Sequence, residues 1–368
     1  MKILFIPNLP YTLRDHKRFG VEFFLSRGYG VEVMDVHKVL MPGYKEKVNI
    51  EYYTFDKHWE PKDESEIIER VKKLSEEDII FFYGNEVRIL HVMKFHTKAK
   101  FMTYVGGSIP TSTVFCSKVL YFKLQFKKFI KSLIPKYRIK PFSTDYFVSG
   151  SPKDELVFPY LIGKNTKIYQ SNSRDYNLCL KSKPFASDEK YCVFLDTDAL
   201  DASDYVLFGE DKKGDFDAYF KKLIGFFGWV EREFGVKVII SAHPKSRIYK
   251  DKNEIQGIKV VHEKSVELVQ GSEFVITEGT TAISYGVFFK KPLIIFTFKE
   301  ISFFHEHCCT FAKELNKAIV NIDNLDKKIF LRELENTSGY DYYKFNYLTY
   351  KDERTDTFEM IEKELFLP

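Results

Sequence analysis

The sequence predicts an α/β protein of two Rossmann-like domains. Three observations carry this. Short apolar runs rich in β-branched residues recur along the chain: MKILFI, VEVMDV, DIIFFY, YCVFLD, VKVIISA, FVIT and KKPLIIFT. That is the pattern of parallel strands covered on both faces. Amphipathic segments stand between the runs, as βαβ units require. At 368 residues the chain is long for one core, so two domains are expected. The expected division is 1–155, then 156–350, with a terminal helix over 351–368.

MKILFIPNL reads as the first strand, and a helix follows through VEFFLSRGYG. Gly28 and Gly30 mark its C-terminal end. VEVMDV is the next strand. No GxGxxG follows the first strand, so a dinucleotide fingerprint is absent. In DESEIIERVKKLSEED, residues 63–78, Ile67, Ile68, Val71 and Leu74 share one helical face. DIIFFYGNEVR gives a strand ending in Gly84, Asn85 and Glu86. Glu86 stands where a base is useful, though a helix cap is the plainer alternative. FMTYVGGSIP gives another strand, with Gly106, Gly107 and Ser108 at its end. Those residues either approach a ligand or make an ordinary turn.

Lys118 to Lys140 holds eight basic residues and no acid, with Lys127, Lys128 and Lys131 at its centre. Interleaved Phe, Leu and Ile make this a candidate membrane-surface helix. A buried helix with a solvated basic edge is the alternative. STDYFVSGSP, residues 143–152, reads as the last strand of the first domain.

The second domain opens with YCVFLD, which ends in Asp196, with Asp198, Asp201 and Asp204 close behind. These carboxylates could act as a base or be solvated loop acids; Asp196, nearest the strand, is the candidate. The Gly and terminal Glu spacing of an EF-hand loop is missing. A long helix ending at Gly235 leads into VKVIISAHPKSR, a strand running into His243, Pro244 and Lys245. In IKVVHEKSVELVQGS, Ser265 reads as a helix N-cap. FVITEGTTAISYGVFF reads as a strand, a turn with Glu278, Gly279, Thr280 and Thr281, and a helix carrying Ser284. Ligands of open α/β sheets bind at the carboxyl ends of strands. Gly279 lets backbone approach a ligand, and two threonines at a helix start suit an anion. His243 can donate to a phosphate oxygen or pass a proton. His305, His307, Cys308 and Cys309 do not match usual zinc spacings.

An HP pair at one strand end, followed by a hydroxyl pair at a later helix start, resembles bacterial sialyltransferases and capsule or lipopolysaccharide transferases of the GT-B type. The resemblance covers the second half. It implies two domains facing a cleft, with a terminal helix returning to the first. It also implies glycosyl transfer from a nucleotide sugar, with a CMP-linked acidic sugar favoured, to a glycan acceptor. By this resemblance His243 is the general acid. Pro244, Lys245, Glu278, Gly279, Thr280, Thr281 and Ser284 hold the donor. Asp196 or Glu86 is the base. Gly106, Gly107, Ser108 and the lysines 127, 128 and 131 lie on the acceptor or membrane side. No metal or other cofactor is implied. The hydroxyl pair departs from the Ser-Ser or Ser-Thr of sialyltransferases, and no acidic-acidic-Gly motif stands in the first half. Rivals are a UDP- or GDP-hexose transferase, a polyol-phosphate transferase, and a non-catalytic nucleotide- or glycan-binding protein. Gly286, eight residues after Glu278, stands where hexose transferases often carry a ribose-binding Glu.

A net charge of +4 is too mild to imply nucleic acid. Five cysteines without a regular framework argue for a reducing compartment. With no signal-peptide pattern and no long apolar run, the expected place is the cytoplasm, peripherally at the inner face of the cytoplasmic membrane.

Overall fold

The computed structural model describes residues 1–7, 9–40, 52–83, 87–110, 143–200, 215–244, 246 and 248–366. Glu86, Lys245 and the basic run with Lys127, Lys128 and Lys131 lie outside them. The chain forms two compact units. One comprises 1–108, 115–174 and 355–368; the other comprises 109–114 and 175–354.

The first unit carries β1 (Lys2–Pro7), β2 (Gly30–Met34), β3 (His58–Trp59), β4 (Ile79–Tyr83), β5 (Lys100–Val105), β6 (Tyr146–Ser149) and β7 (Lys167–Gln170). Their order is β3-β2-β1-β4-β5-β6-β7, and every pairing is parallel. The contact-based first unit runs to Arg174, beyond the 155 of the sequence reading. β7 pairs with β6 in register Tyr146↔Lys167 and so belongs to the first sheet. Its residues are mostly exposed, as at a sheet edge, which is why KIYQ lacks the apolar signature of a central strand.

Alternation splits each strand between two cores. Leu4, Ile6, Ile80 and Phe82 pack with Ile67, Val71, Leu90 and Met93 on one face. Ile3, Phe5, Phe81 and Tyr83 pack with Val21, Phe24, Phe358 and Ile361 on the other. Phe358 and Ile361 come from the terminal helix Thr357–Ile361, which belongs to this unit. Burying each such side chain is worth about 1.5–3 kcal/mol. Gly20 makes the packing possible. Its φ is +84°, and a Cβ there would meet the Phe358 ring at 2.6 Å. We expect Gly20→Ala to lower stability by about 1–3 kcal/mol through backbone strain and overpacking, measured by urea unfolding. An unchanged midpoint would show that the terminal helix is not packed there.

The second unit carries β8 (Tyr191–Leu195), β9 (Lys237–Ser241), β10 (Glu254–Ile255), β11 (Ile258–Val261), β12 (Val275–Thr277), β13 (Leu293–Thr297) and β14 (Val320–Asn321). Their order is β10-β11-β9-β8-β12-β13-β14. β10 alone is antiparallel to its neighbour. Without it, the winding repeats that of the first unit's first six strands: third, second, first, fourth, fifth, sixth. The winding reverses between β8 and β12, the switch point where such sheets hold ligands. Helix Phe216–Phe234 covers one face. Asp215 caps its start, and Gly235 at φ 63° ends it. Among the described residues no helix is long and apolar enough to cross a membrane.

Candidate functional site

The site is built on the carboxyl ends of β9, β8 and β12, which stand side by side across the switch point. Two consecutive residues after β8 hold the other two loops. Asp196 Oδ2 accepts the backbone N–H of His243 at 3.0 Å. Thr197 Oγ1 donates to Glu278 Oε2 at 2.6 Å.

The His243–Pro244 loop has a local logic. A residue before proline is pushed towards extended backbone, so His243 continues the strand direction. Proline then presets φ for the second position of a β-turn. The turn is closed by the Ser246 N–H donating to the His243 carbonyl at 2.9 Å. Asp196 is 6% exposed, and its other oxygen accepts the Asp198 N–H at 3.1 Å. Burial pushes its carboxyl up to about 7 against the lowering pull of these N–H groups, and the nearby Glu278 adds to the rise. Asp196 therefore ties loops together with both oxygens engaged by backbone.

The turn after β12 is held on every side. Glu278 is fully buried. Besides Thr197, it accepts from Tyr219 Oη at 2.7 Å. Burial lifts its carboxyl up to about 7, although both hydroxyl donors pull it down. Its backbone carbonyl accepts from Cys308 Sγ at 2.6 Å. Gly279, at φ +103°, brings its own Cα within reach of helix His305–Glu314; a Cβ there would lie 3.3 Å from Cys308 Cα. Its N–H donates to Thr277 Oγ1, which donates in turn to the Leu195 carbonyl of β8.

The helix starts later than expected. It spans Ile283–Phe288, with Ala282 at its N-cap and no side-chain cap. Thr280 and Thr281 stand in the turn before it, because residues 280–282 close tight i to i+3 hydrogen bonds to Ile283, Ser284 and Tyr285. Thr280 is half-buried and Thr281 exposed. Helical periodicity turns Ser284 inward: it is buried, with its Oγ 3.5 Å from Tyr343 Oη. Its side chain thus sits in the core. Ser265 is not the N-cap of its helix; Lys264 is, and the Ser265 hydroxyl accepts from Ser241 Oγ at the end of β9.

Four residues of this cluster escaped the sequence pattern. Thr197 and Tyr219 position Glu278. Tyr249 and Ser246 are buried, and among the described residues neither side-chain oxygen has a hydrogen-bond partner. Burial raises the Tyr249 phenol, and the nearby Asp196, Glu278 and Asp198 raise it further. The helix position of Tyr219 carries no local signal for this role.

In the first unit, Gly106, Gly107 and Ser108 follow β5 as expected. Ser108, however, gives both its N–H and its hydroxyl to Asp154, which also accepts from Gly150 and Ser151. Burial lifts the Asp154 carboxyl to about 6, with these donors opposing. Ser108 is therefore engaged in holding the ends of β5 and β6 together.

No family model and no curated protein matches the chain. Solved structures of similar layout include a UDP-GlcNAc 2-epimerase from Methanocaldococcus jannaschii. It is 11% identical, with 94% of each chain covered and a TM-score of 0.49. A calicheamicin glycosyltransferase is 10% identical, with 93% of this chain and 91% of that one covered and a TM-score of 0.48. A glycosyltransferase from Rickettsia africae is 13% identical, with 94% of each covered and a TM-score of 0.43. Likeness at this level bears on the chain path alone.

Proposed function

We propose that this protein is a glycosyltransferase whose second unit holds the phosphate of a nucleotide-sugar donor. The observation that carries the reading is the strip Asp196–Thr197. Through it one strand end fixes both the His243–Pro244 loop and the Glu278–Thr281 turn. Fixed loops cost no reorganisation when charge develops on a leaving phosphate. Burial pushes the carboxyls nearest the loops up to about 7, which lessens their opposition to an anion.

In this reading the bond from anomeric carbon to phosphate oxygen breaks as the acceptor oxygen bonds to that carbon. His243 gives a proton to the departing phosphate, and Thr280 and Thr281 hold the same group with the backbone of Gly279. The acceptor hydroxyl loses its proton to a carboxylate, for which Asp196 and Glu86 are the two candidates; each Asp196 oxygen accepts one backbone N–H and keeps a second lone pair. The first unit takes the acceptor, a bacterial surface glycan. The basic run around Lys127, Lys128 and Lys131 would keep the protein at an anionic membrane. The HP pair and the two threonines support a CMP-linked acidic sugar, such as a nonulosonate or Kdo, as donor.

The test is a thermal-shift and calorimetric series with CMP, CDP, UDP and GDP. A specific nucleotide at a hundred times its Kd stabilises by about 2.7 kcal/mol. CMP or CDP is expected to do so. Tight UDP binding with no cytidine nucleotide bound would overturn the donor assignment. Acceptor-free epimerisation of a UDP-sugar would overturn glycosyl transfer itself.

A further inference from the structure

The first unit holds a second cluster of chemistry-bearing side chains that the proposed transfer does not use. β2 and β3 pair in parallel with Met34 opposite Trp59. One step beyond that pair, the chain places Asp35 and Glu60 beside each other. Asp35 N–H donates to the Trp59 carbonyl at 2.8 Å, which locks this register. His37 lies two residues past Asp35, and His58 two residues before Glu60. Side chains two apart along extended backbone share a face, so His58 and Glu60 are presented together.

Ligand-type atoms of Asp35, His37 and Glu60 all lie within 4.8 Å of one another. Asp35 is fully buried and His37 is 1% exposed. Asp35 Oδ1 accepts from the His37 N–H, and His37 Nδ1 lies 2.7 Å from it. Asp35 Oδ2 accepts only one backbone N–H, that of Tyr11, and a carboxylate oxygen has two lone pairs. His58 Nε2 stands 3.8 Å from this Oδ2, too far for a hydrogen bond, on a side chain 6% exposed. Among the described residues neither this nitrogen nor His37 Nε2 has a hydrogen-bond partner. A buried imidazole nitrogen with no partner is costly. Here it stands next to a carboxylate with a spare lone pair.

We propose that Asp35, His37, His58 and Glu60 bind one divalent transition-metal ion, with Zn²⁺ the best fit. Two imidazoles and two carboxylates make a four-ligand set suited to zinc. Tetrahedral Zn²⁺ with bonds of 2.0–2.1 Å spaces its ligand atoms about 3.3 Å apart. The gap of 3.8 Å between Asp35 Oδ2 and His58 Nε2 closes to that value with a small side-chain movement. Glu60 also pairs with Lys38. That pair is half open to water, where ion pairs contribute about 0–1 kcal/mol, so a metal can displace it. As both groups are ligands of the same ion, the 2.7 Å contact between His37 Nδ1 and Asp35 Oδ1 opens to the ligand spacing on binding.

The experiment is a Zn²⁺ titration of the full chain against a chromophoric chelator. The chain would carry His305→Ala and Cys309→Ser, because His305 Nε2 and Cys309 Sγ lie 3.3 Å apart on the surface and could bind zinc themselves. One equivalent of zinc should bind and raise the melting temperature. His58→Ala and Glu60→Gln should each weaken binding at least about tenfold and reduce the thermal shift. Glu60 is partly exposed, so its substitution is expected to leave the fold intact and keeps the test decisive if His58→Ala unfolds. Absence of saturable binding, or equal affinity in the parent and Glu60→Gln, would overturn the proposal.

Discussion

His243→Ala is expected to lower the single-turnover rate of sugar transfer by about a hundred- to ten-thousand-fold, the usual worth of general acid–base help. Two backbone contacts of the loop survive this substitution. The loop is held by the His243 backbone N–H on Asp196 and by the turn that Ser246 closes. Neither contact uses the imidazole. Alanine therefore keeps both of these backbone contacts. If the ring acts mainly in the transition state, kcat falls while donor affinity changes little. Thr280→Val gives the contrast. It keeps the shape and removes a hydroxyl beside the ground-state phosphate, so donor affinity should weaken at least as much as turnover. Both variants are compared by donor calorimetry and rapid-quench kinetics, after checking that each is folded. A His243→Ala enzyme that turns over at the parent rate would make His243 a loop residue and remove the proposed centre.

The parts of this architecture that sequence exposes are those with strong local causes. Central strands such as Ile79–Tyr83 and Leu293–Thr297 are buried along their whole length, so they appear as unbroken apolar runs. The turn at His243–Pro244 is written in the dihedral preference of proline. The cross-links of the site are different in kind. Thr197, Tyr219 and Glu278 come from three separate segments, and only strand order brings them together. Their hydroxyls and carboxyl leave no periodic trace. The edge strand β7 is legible as a strand in TKIYQ, but the sheet it joins is not. Half-solvated backbone needs no apolar side chains, so its pairing is visible only in three dimensions. The start of the helix at Ile283 was missed because threonine is acceptable both as a cap and in the tight turn that precedes it.

Glu278 gives the second large effect, on stability and its pH dependence. Glu278→Ala leaves the Tyr219 and Thr197 hydroxyls without their acceptor in a buried site. Each unpaired buried group costs about 1–3 kcal/mol, so a loss of roughly 2–5 kcal/mol is expected in urea unfolding. The pH dependence follows from protons. Burial first, against the hydrogen bonds, raises the carboxyl from an ordinary 4.5 to about 7. Between those values the folded chain binds more protons than the unfolded one, so stability falls as pH rises. The contribution is fully present below pH 4.5 and is lost as pH rises through 7, with a slope of at most about 1.36 kcal/mol per pH unit for one proton. Asp196 and Asp154 add slopes of the same sign. The buried His16 and the half-buried His307, whose imidazoles desolvation holds below the usual value, add the opposite sign. All four remain in Glu278→Gln, so the difference between parent and variant reports Glu278 together with its coupling to Asp196. Urea midpoints taken from pH 5 to pH 8 should fall more steeply in the parent than in Glu278→Gln. Parallel pH profiles would mean that Glu278 stays ionised at the switch point, and the case for a weakly charged phosphate site there would fail.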